Sequence, residues 1–281
     1  MDRTEELLES IQSLPPAPNL LNRLLGELNN IHSDLNKVVE LISFEPALTA
    51  KLLHVCNSAY YGLSDPVNHV SDAVNRLGFH SVFHIVAVVS GEHLVRPSPT
   101  SGLDGNQLWK HSVTVAFASQ RVGKAQGADS ALLFTAGLLH DIGKLVLGEV
   151  FKKEYAHLIH GSQLAGRALV EVERSCFGTD HCALGARLLE RWHFSPLLVN
   201  LAAHHHAPEE AAADRRFAAC LELADTLAHQ VDGVKLLPAR NTAPALSAQE
   251  TLGISNEQLE RHREGLRKSL PLVETLCSAR S

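Results

Sequence analysis

The chain has 281 residues, 45% of them apolar and only 5% aromatic, with a formal net charge of −6. Such a length and apolar content can bury a sizeable core, while the acidic balance argues against a large electrostatic footprint for nucleic acid or an anionic membrane. No long uncharged apolar segment follows the acidic start Met1-Asp-Arg-Thr-Glu-Glu6, so neither a signal peptide nor a membrane span is expected, and the expected location is cytoplasmic. Cys56, Cys176, Cys182, Cys220 and Cys277 stand singly, without C-x-x-C spacing, as reduced core thiols do.

Val, Ile and Thr never alternate with polar residues over a strand length, so the chain reads as all-α. A short amphipathic helix over Glu5 to Ser13 stops at Leu14-Pro-Pro16, and a second, carrying Leu20, Leu21, Leu24, Leu25 and Leu28, starts at Asn19. Ser33 can cap a third with Leu35, Val38, Val39 and Ile42 at helical spacing. Glu45-Pro46 opens a fourth, with proline at the first helical position, which runs into Asn57-Ser-Ala-Tyr-Tyr-Gly62. Ser71 and Asp72 begin a helix that ends at Gly78, and a long apolar helix follows from Ser81 to about Leu94. Tyr60 and Tyr61, adjacent aromatics at a turn, cannot both face a core, so one of them is a candidate partner-binding residue.

Four blocks in this half, Leu14-Pro-Pro-Ala-Pro18, Glu45-Pro-Ala-Leu-Thr-Ala-Lys-Leu-Leu53, Asn57-Ser-Ala-Tyr-Tyr-Gly62 and Asp65-Pro-Val leading to Ala73-Val-Asn-Arg-Leu-Gly78, resemble the HDOD domain family in content and order. These are bacterial signalling relatives of the HD-domain phosphohydrolases. The resemblance implies an all-α, multi-helix HDOD fold with an N-terminal helical lobe docked on an HD-like lobe. It also implies a regulatory role, with a signalling protein or a small phosphorylated ligand as partner rather than nucleic acid or membrane. Apolar periodicity and Pro/Gly punctuation account for most of the block residues as helix starts, stops and core positions.

The Pro-, Ser- and Gly-rich run Arg96 to Gly105 marks a linker. It divides an N-terminal lobe, residues 1–95, from an HD-like lobe over 106–235, and a C-terminal helical extension covers 236–281. Beyond the linker, Asn106 can cap a helix whose apolar face includes His111. The stretch Ala131 to Leu147 is apolar on nearly every side around His140 and Asp141, so both should be buried. A buried carboxylate is costly unless paired, hydrogen-bonded or metal-bound. After a polar, charged separator from Lys152 to about Arg174, Thr179 or Asp180 can cap a helix with His181 in its first turn. Ser195-Pro196 starts another leading to His204 and His205, and the helix from Arg215 to His229 sets Asp225 beside Ala218, Leu221 and Ala228. In the tail, Ser255-Asn256-Glu257 opens the longest remaining helix.

Imidazole and carboxylate together suit iron, manganese, zinc or nickel, bound singly or as a pair. The order of His111, His140-Asp141, His181, His204-His205 and Asp225 resembles that of HD-domain proteins with two-metal sites. By that resemblance Asp141 bridges two ions, His111, His140 and Asp225 hold one, and His181 with His204 or His205 holds the other. Lys144, three residues after Asp141, would then be a phosphate-binding or acid-assisting group in a metal-dependent phosphohydrolase, which is the alternative to a non-catalytic module; otherwise it is a solvated lysine at a helix end. The chain lacks the Gly-Tyr-Pro segment that follows the His pair in HD-GYP phosphodiesterases, so the resemblance does not extend to cyclic-dinucleotide hydrolysis by that route.

Overall fold

The computed structural model describes residues 2–10, 18–28, 35–95, 103–231 and 246–278, and all regular structure among them is helical. The predicted cap Ser33, residues 14–17 of the first family block, residues 96–102 of the linker and residues 236–245 of the tail lie outside the described residues. By their packing the residues divide into two compact units, Pro16–Leu94 with Ser269–Ser281, and Met1–Pro15 with Val95–Lys268. The first helix, α1 (Arg3–Ser10), is thereby grouped with the second unit.

The first unit contains α2 (Asn19–Leu28), α3 (Leu35–Ser43), α4 (Pro46–Cys56), α5 (Val70–Leu77) and α6 (Phe79–Gly91). Helix α6 is its axis: Val82 to Val89 are all buried, and α2, α4 and α5 pack around it. A helix apolar on every side must be enclosed in this way. Helix α4 starts at Pro46 as predicted and buries Leu48, Leu52 and Cys56. Helix α5 begins one residue earlier than expected, with His69 rather than Ser71 at its cap, and α6 begins at Phe79 rather than Ser81. Gly62 (φ 55°) and Gly78 (φ 79°) take left-handed backbone that a side chain would strain. The side chain of Asn57 clamps the turn between α4 and α5, donating to the Val67 carbonyl (2.9 Å) and accepting from the Val67 N–H (2.7 Å).

In the second unit, α7 (Gly105–Ala125) packs along α8 (Ser130–Leu139) and, further on, α13 (Arg215–Val231). The cap of α7 is Asp104, whose carboxylate accepts from the Asn106 and Gln107 N–H groups, rather than Asn106. After α8 the chain turns through His140 to Ile142 and re-enters helix as α9 (Gly143–Ala165), which bends at Lys152 (φ 46°) and packs on α10 (Leu169–Phe177) and α11 (His181–Arg191). Helix α12 (Pro196–His204) pairs with α11 and α8, α14 (Leu246–Leu252) lies on α13, and α15 (Asn256–Ser278) ends the described chain. Asp180 and Ser195 cap α11 and α12 as their positions predict. One stretch, Ser130–Ser162, is long and apolar enough to cross a membrane by composition, and 94% of its most apolar window is buried in this core.

Candidate metal centre

The His140-Asp141 turn is fixed by two glycines. A Cβ on Gly137 would stand 2.7 Å from the Ala116 Cα of α7, and one on Gly143 would stand 2.0 Å from the His181 carbonyl of α11. Only hydrogen at these positions lets α8 close on α7, which carries His111, and lets α9 close on the first turn of α11, which carries His181. Leu198, Leu201 and Ala202 bury the end of α12 and bring in His205, while α13 supplies Asp225.

Asp141 sits at the middle and its two oxygens face different partners. Oδ2 lies 3.3 Å from His140 Nε2 and 4.0 Å from His111 Nε2; Oδ1 lies 3.5 Å from His181 Nε2 and 3.6 Å from His205 Nε2. Asp225 Oδ1 joins the first group, 3.0 Å from His111 Nε2 and 3.9 Å from His140 Nε2. All six residues are buried, Asp225 the least.

The outward ring nitrogens decide what the inner ones can do. His140 Nδ1 bonds the Gly137 carbonyl (2.7 Å), His205 Nδ1 the Ala202 carbonyl (2.8 Å) and His181 Nδ1 the Glu173 carboxylate (2.6 Å). Carbonyls and carboxylates only accept, so Nδ1 is the donor in each neutral ring and Nε2 points a lone pair inward. Nε2 of His140 and His181 and Oδ1 of Asp141 and Asp225 find no hydrogen-bond partner. Acceptors therefore face acceptors. A cation would resolve that arrangement: two donors at about 2.1 Å from one ion, at an angle of about 90–110°, stand roughly 3.0–3.4 Å apart, near the four shorter separations of 3.0 to 3.6 Å and below the two longer ones of 3.9 and 4.0 Å.

Burial by itself would raise the Asp141 carboxyl; the His140 imidazole and the Lys144 ammonium outweigh it and hold the group well below the usual carboxylate range. Asp225 is likewise held down against burial, by His229 and His111. Lys144 is neither solvated nor at a loose helix end: it is 3% exposed, and its Nζ donates to Asp141 Oδ2 at 2.5 Å.

Of the paired candidates, the structure brings in His205 and leaves His204 outside, half-buried with its Nδ1 3.8 Å from Glu210. Tyr60 and Tyr61 belong to the other unit; their rings meet edge to face at 5.1 Å, with Tyr60 43% exposed. Four further groups went unread in the sequence. Glu173, in the stretch read as a polar separator, is fully buried and also accepts from the His181 N–H (3.0 Å) and the Tyr155 hydroxyl (2.6 Å). His229 lies one turn beyond Asp225, 3.4 Å from its Oδ1, its ring 4.5 Å from the His111 ring at a tilt of 31°. Its i+4 spacing from Asp225 was the available signal. Cys182 and His206 adjoin His181 and His205, and burial pushes the His206 imidazole well below its ordinary range.

The sequence profile of the HDOD domain matches residues 14–208, so Asp225 and His229 lie beyond the matched residues. The crystal structure of a candidate phosphohydrolase from Shewanella amazonensis SB2B is 27% identical, with a TM-score of 0.74 over 97% of each chain. An HDOD domain protein of unknown function from Geobacter sulfurreducens, 22% identical, shares the fold with a TM-score of 0.77 over 99% of this chain and 96% of that one. Among curated relatives, an uncharacterized protein of Treponema pallidum is 27% identical over 213 residues, which are 73% of this chain and 40% of that protein. Ribonuclease Y of Bacillus subtilis (strain 168) is 26% identical over 200 residues, 68% of this chain and 32% of the enzyme. The chain thus spans less than half the length of these curated relatives.

Proposed function

The chain belongs to the HDOD domain family, and from that premise we propose that its buried His/Asp centre holds two divalent transition-metal ions and hydrolyses a phosphoester. The observation that carries this is the division of Asp141, one oxygen toward His111, His140 and Asp225 and the other toward His181 and His205. Neither set saturates a six-coordinate iron or manganese ion, and catalytic metal sites keep open positions where structural ones are closed. When bound, such ions polarise a phosphoryl oxygen and supply hydroxide at neutral pH.

The chain's own residues do the rest. Asp141 would bridge the two positions, Lys144 holds its Oδ2, and Glu173 fixes the ring of His181. Substrate approaches at the side of Asp225 and His229, whose side chains are 10% and 13% exposed while those of His111, His181 and His205 are sealed. The relatives named as a candidate phosphohydrolase and as ribonuclease Y support the reaction class.

A second reading keeps the metal and drops the chemistry: a regulatory module for a signalling protein or a small phosphorylated ligand, in which the ions pin the fold. The depth of the ligands favours it, since six side chains at 10% exposure or less leave a narrow approach. Elemental analysis of protein purified without chelator, followed by assay of the metal-replete protein on a phosphodiester such as bis(4-nitrophenyl) phosphate and on nucleotides, separates the two. We expect up to two ions per chain and turnover lost in Asp141→Ala. Full metal content with no turnover on the panel selects the regulatory reading, and absence of metal overturns both.

A further inference from the structure

We propose that Cys182 is a ligand of the second ion, so that the two positions of the centre differ in chemistry: one of imidazole and carboxylate, the other of imidazole, carboxylate and thiolate. The inference rests on the metal-binding reading above and goes beyond it by assigning a fourth ligand and a metal preference.

Cys182 follows His181 in the first turn of α11, and its Sγ lies 3.9 Å from His205 Nε2. His181, Cys182, His205 and His206 can bring four donor atoms to within 4.8 Å of one another. A buried cysteine by itself is most often a small hydrophobe, as are Cys56 and Cys220 in this chain, which belong to no such cluster among the described residues. What sets Cys182 apart is the company it keeps: the adjacent His181 Nε2, fully buried and without a hydrogen-bond partner, and Asp141 Oδ1, likewise unpartnered, 3.5 Å from that nitrogen.

Burial pushes the Cys182 thiol well above its ordinary range. The start of a helix favours the thiolate, and a bound divalent cation does so far more strongly, the proton leaving to solvent as the metal–sulfur bond forms.

The consequence is selectivity. His181, His205, Cys182 and Asp141 complete a four-coordinate N/S/O set, and thiolate selects zinc over manganese, whereas the His111, His140 and Asp225 position suits a harder ion. With the second ion closed by four protein ligands, the open positions fall to the first, on the side where Asp225 and His229 reach solvent. The centre is then a hetero-pair in which the zinc-like ion anchors Asp141 and the other ion meets substrate.

The test is zinc-edge X-ray absorption on the full chain loaded with zinc and manganese together, with total metal measured in parallel. The expected result is one zinc per chain with a sulfur neighbour at about 2.3 Å. In Cys182→Ala that sulfur signal is lost and zinc affinity falls by at least about tenfold, the lower end of the cost of losing even an outer partner of a ligand. Cys182→Ser serves where the alanine variant folds poorly, and Cys56→Ala should leave the spectrum unchanged. Wild-type protein that binds metal with only nitrogen and oxygen neighbours overturns the assignment and leaves the metal-binding reading standing; wild-type protein that binds no metal overturns both.

Discussion

The two units differ most in what they bury besides hydrocarbon. Among the described residues, the unit of α2 to α6 hides only two polar side chains, His84 and Glu92, the latter paired with Lys51. The other hides the whole constellation around Asp141. The first unit's shape follows from apolar periodicity and backbone punctuation, and the Asn57 clamp and the left-handed glycines Gly62 and Gly78 explain why its sequence blocks look as they do. The second keeps acceptors without hydrogen-bond partners among the described residues in an apolar interior, at a desolvation cost. The lesson is that the blocks with the strongest family character mark scaffold, and the candidate metal ligands sit in the unit whose motifs are single residues far apart.

Breaking the contrast at its centre should have the largest effect. Asp141→Ala removes the ligand common to both positions and strands the buried Lys144 ammonium; stability should fall by about 3–5 kcal/mol and metal content should drop toward zero, as chemical denaturation and elemental analysis would show. Leu52→Ala, in the other unit, should cost a comparable 2–5 kcal/mol or so, the range for a fully buried leucine, yet leave metal content per folded chain unchanged. Loss of metal in that variant would mean that the units are not separable in function.

Two substitutions sharpen the comparison inside the second unit. Gly143→Ala puts a methyl group into the His181 carbonyl and should cost about 1–3 kcal/mol, with metal affinity falling alongside because α9 must back away from α11. Glu173→Gln keeps the shape but removes the charge on His181 Nδ1; metal affinity should fall by about tenfold to a hundredfold, readable by competition with a chromophoric chelator, at a small change in melting temperature. The smallest effect belongs to His204→Ala. That side chain lies outside the centre, so stability should move by no more than about 0.5 kcal/mol and metal content not at all. A loss of metal there would reassign the His204-His205 pair.

Much of this was legible in one dimension. The all-helical character, the starts at Pro46 and Ser195, a cap at Thr179 or Asp180, the burial of His140 and Asp141 and the types of the candidate ligands follow from local rules, because helical periodicity, capping and proline placement act within a few residues, whereas the stretch read as a polar separator is helical in α9 and α10. What only the tertiary structure decided is which of two neighbouring histidines turns inward, that Lys144 is buried against Asp141, and that Glu173, Cys182, His206 and His229 gather with ligands up to 118 positions away in sequence. His204 and His205 both have Leu201 as an apolar neighbour by periodicity, and in the structure it is the His205 ring that is held by the Ala202 carbonyl at the end of α12. Those facts depend on how closely helices approach, set by hydrogen in place of a side chain at Gly137 and Gly143. Packing of that kind is a relation between distant elements, and no local pattern encodes it.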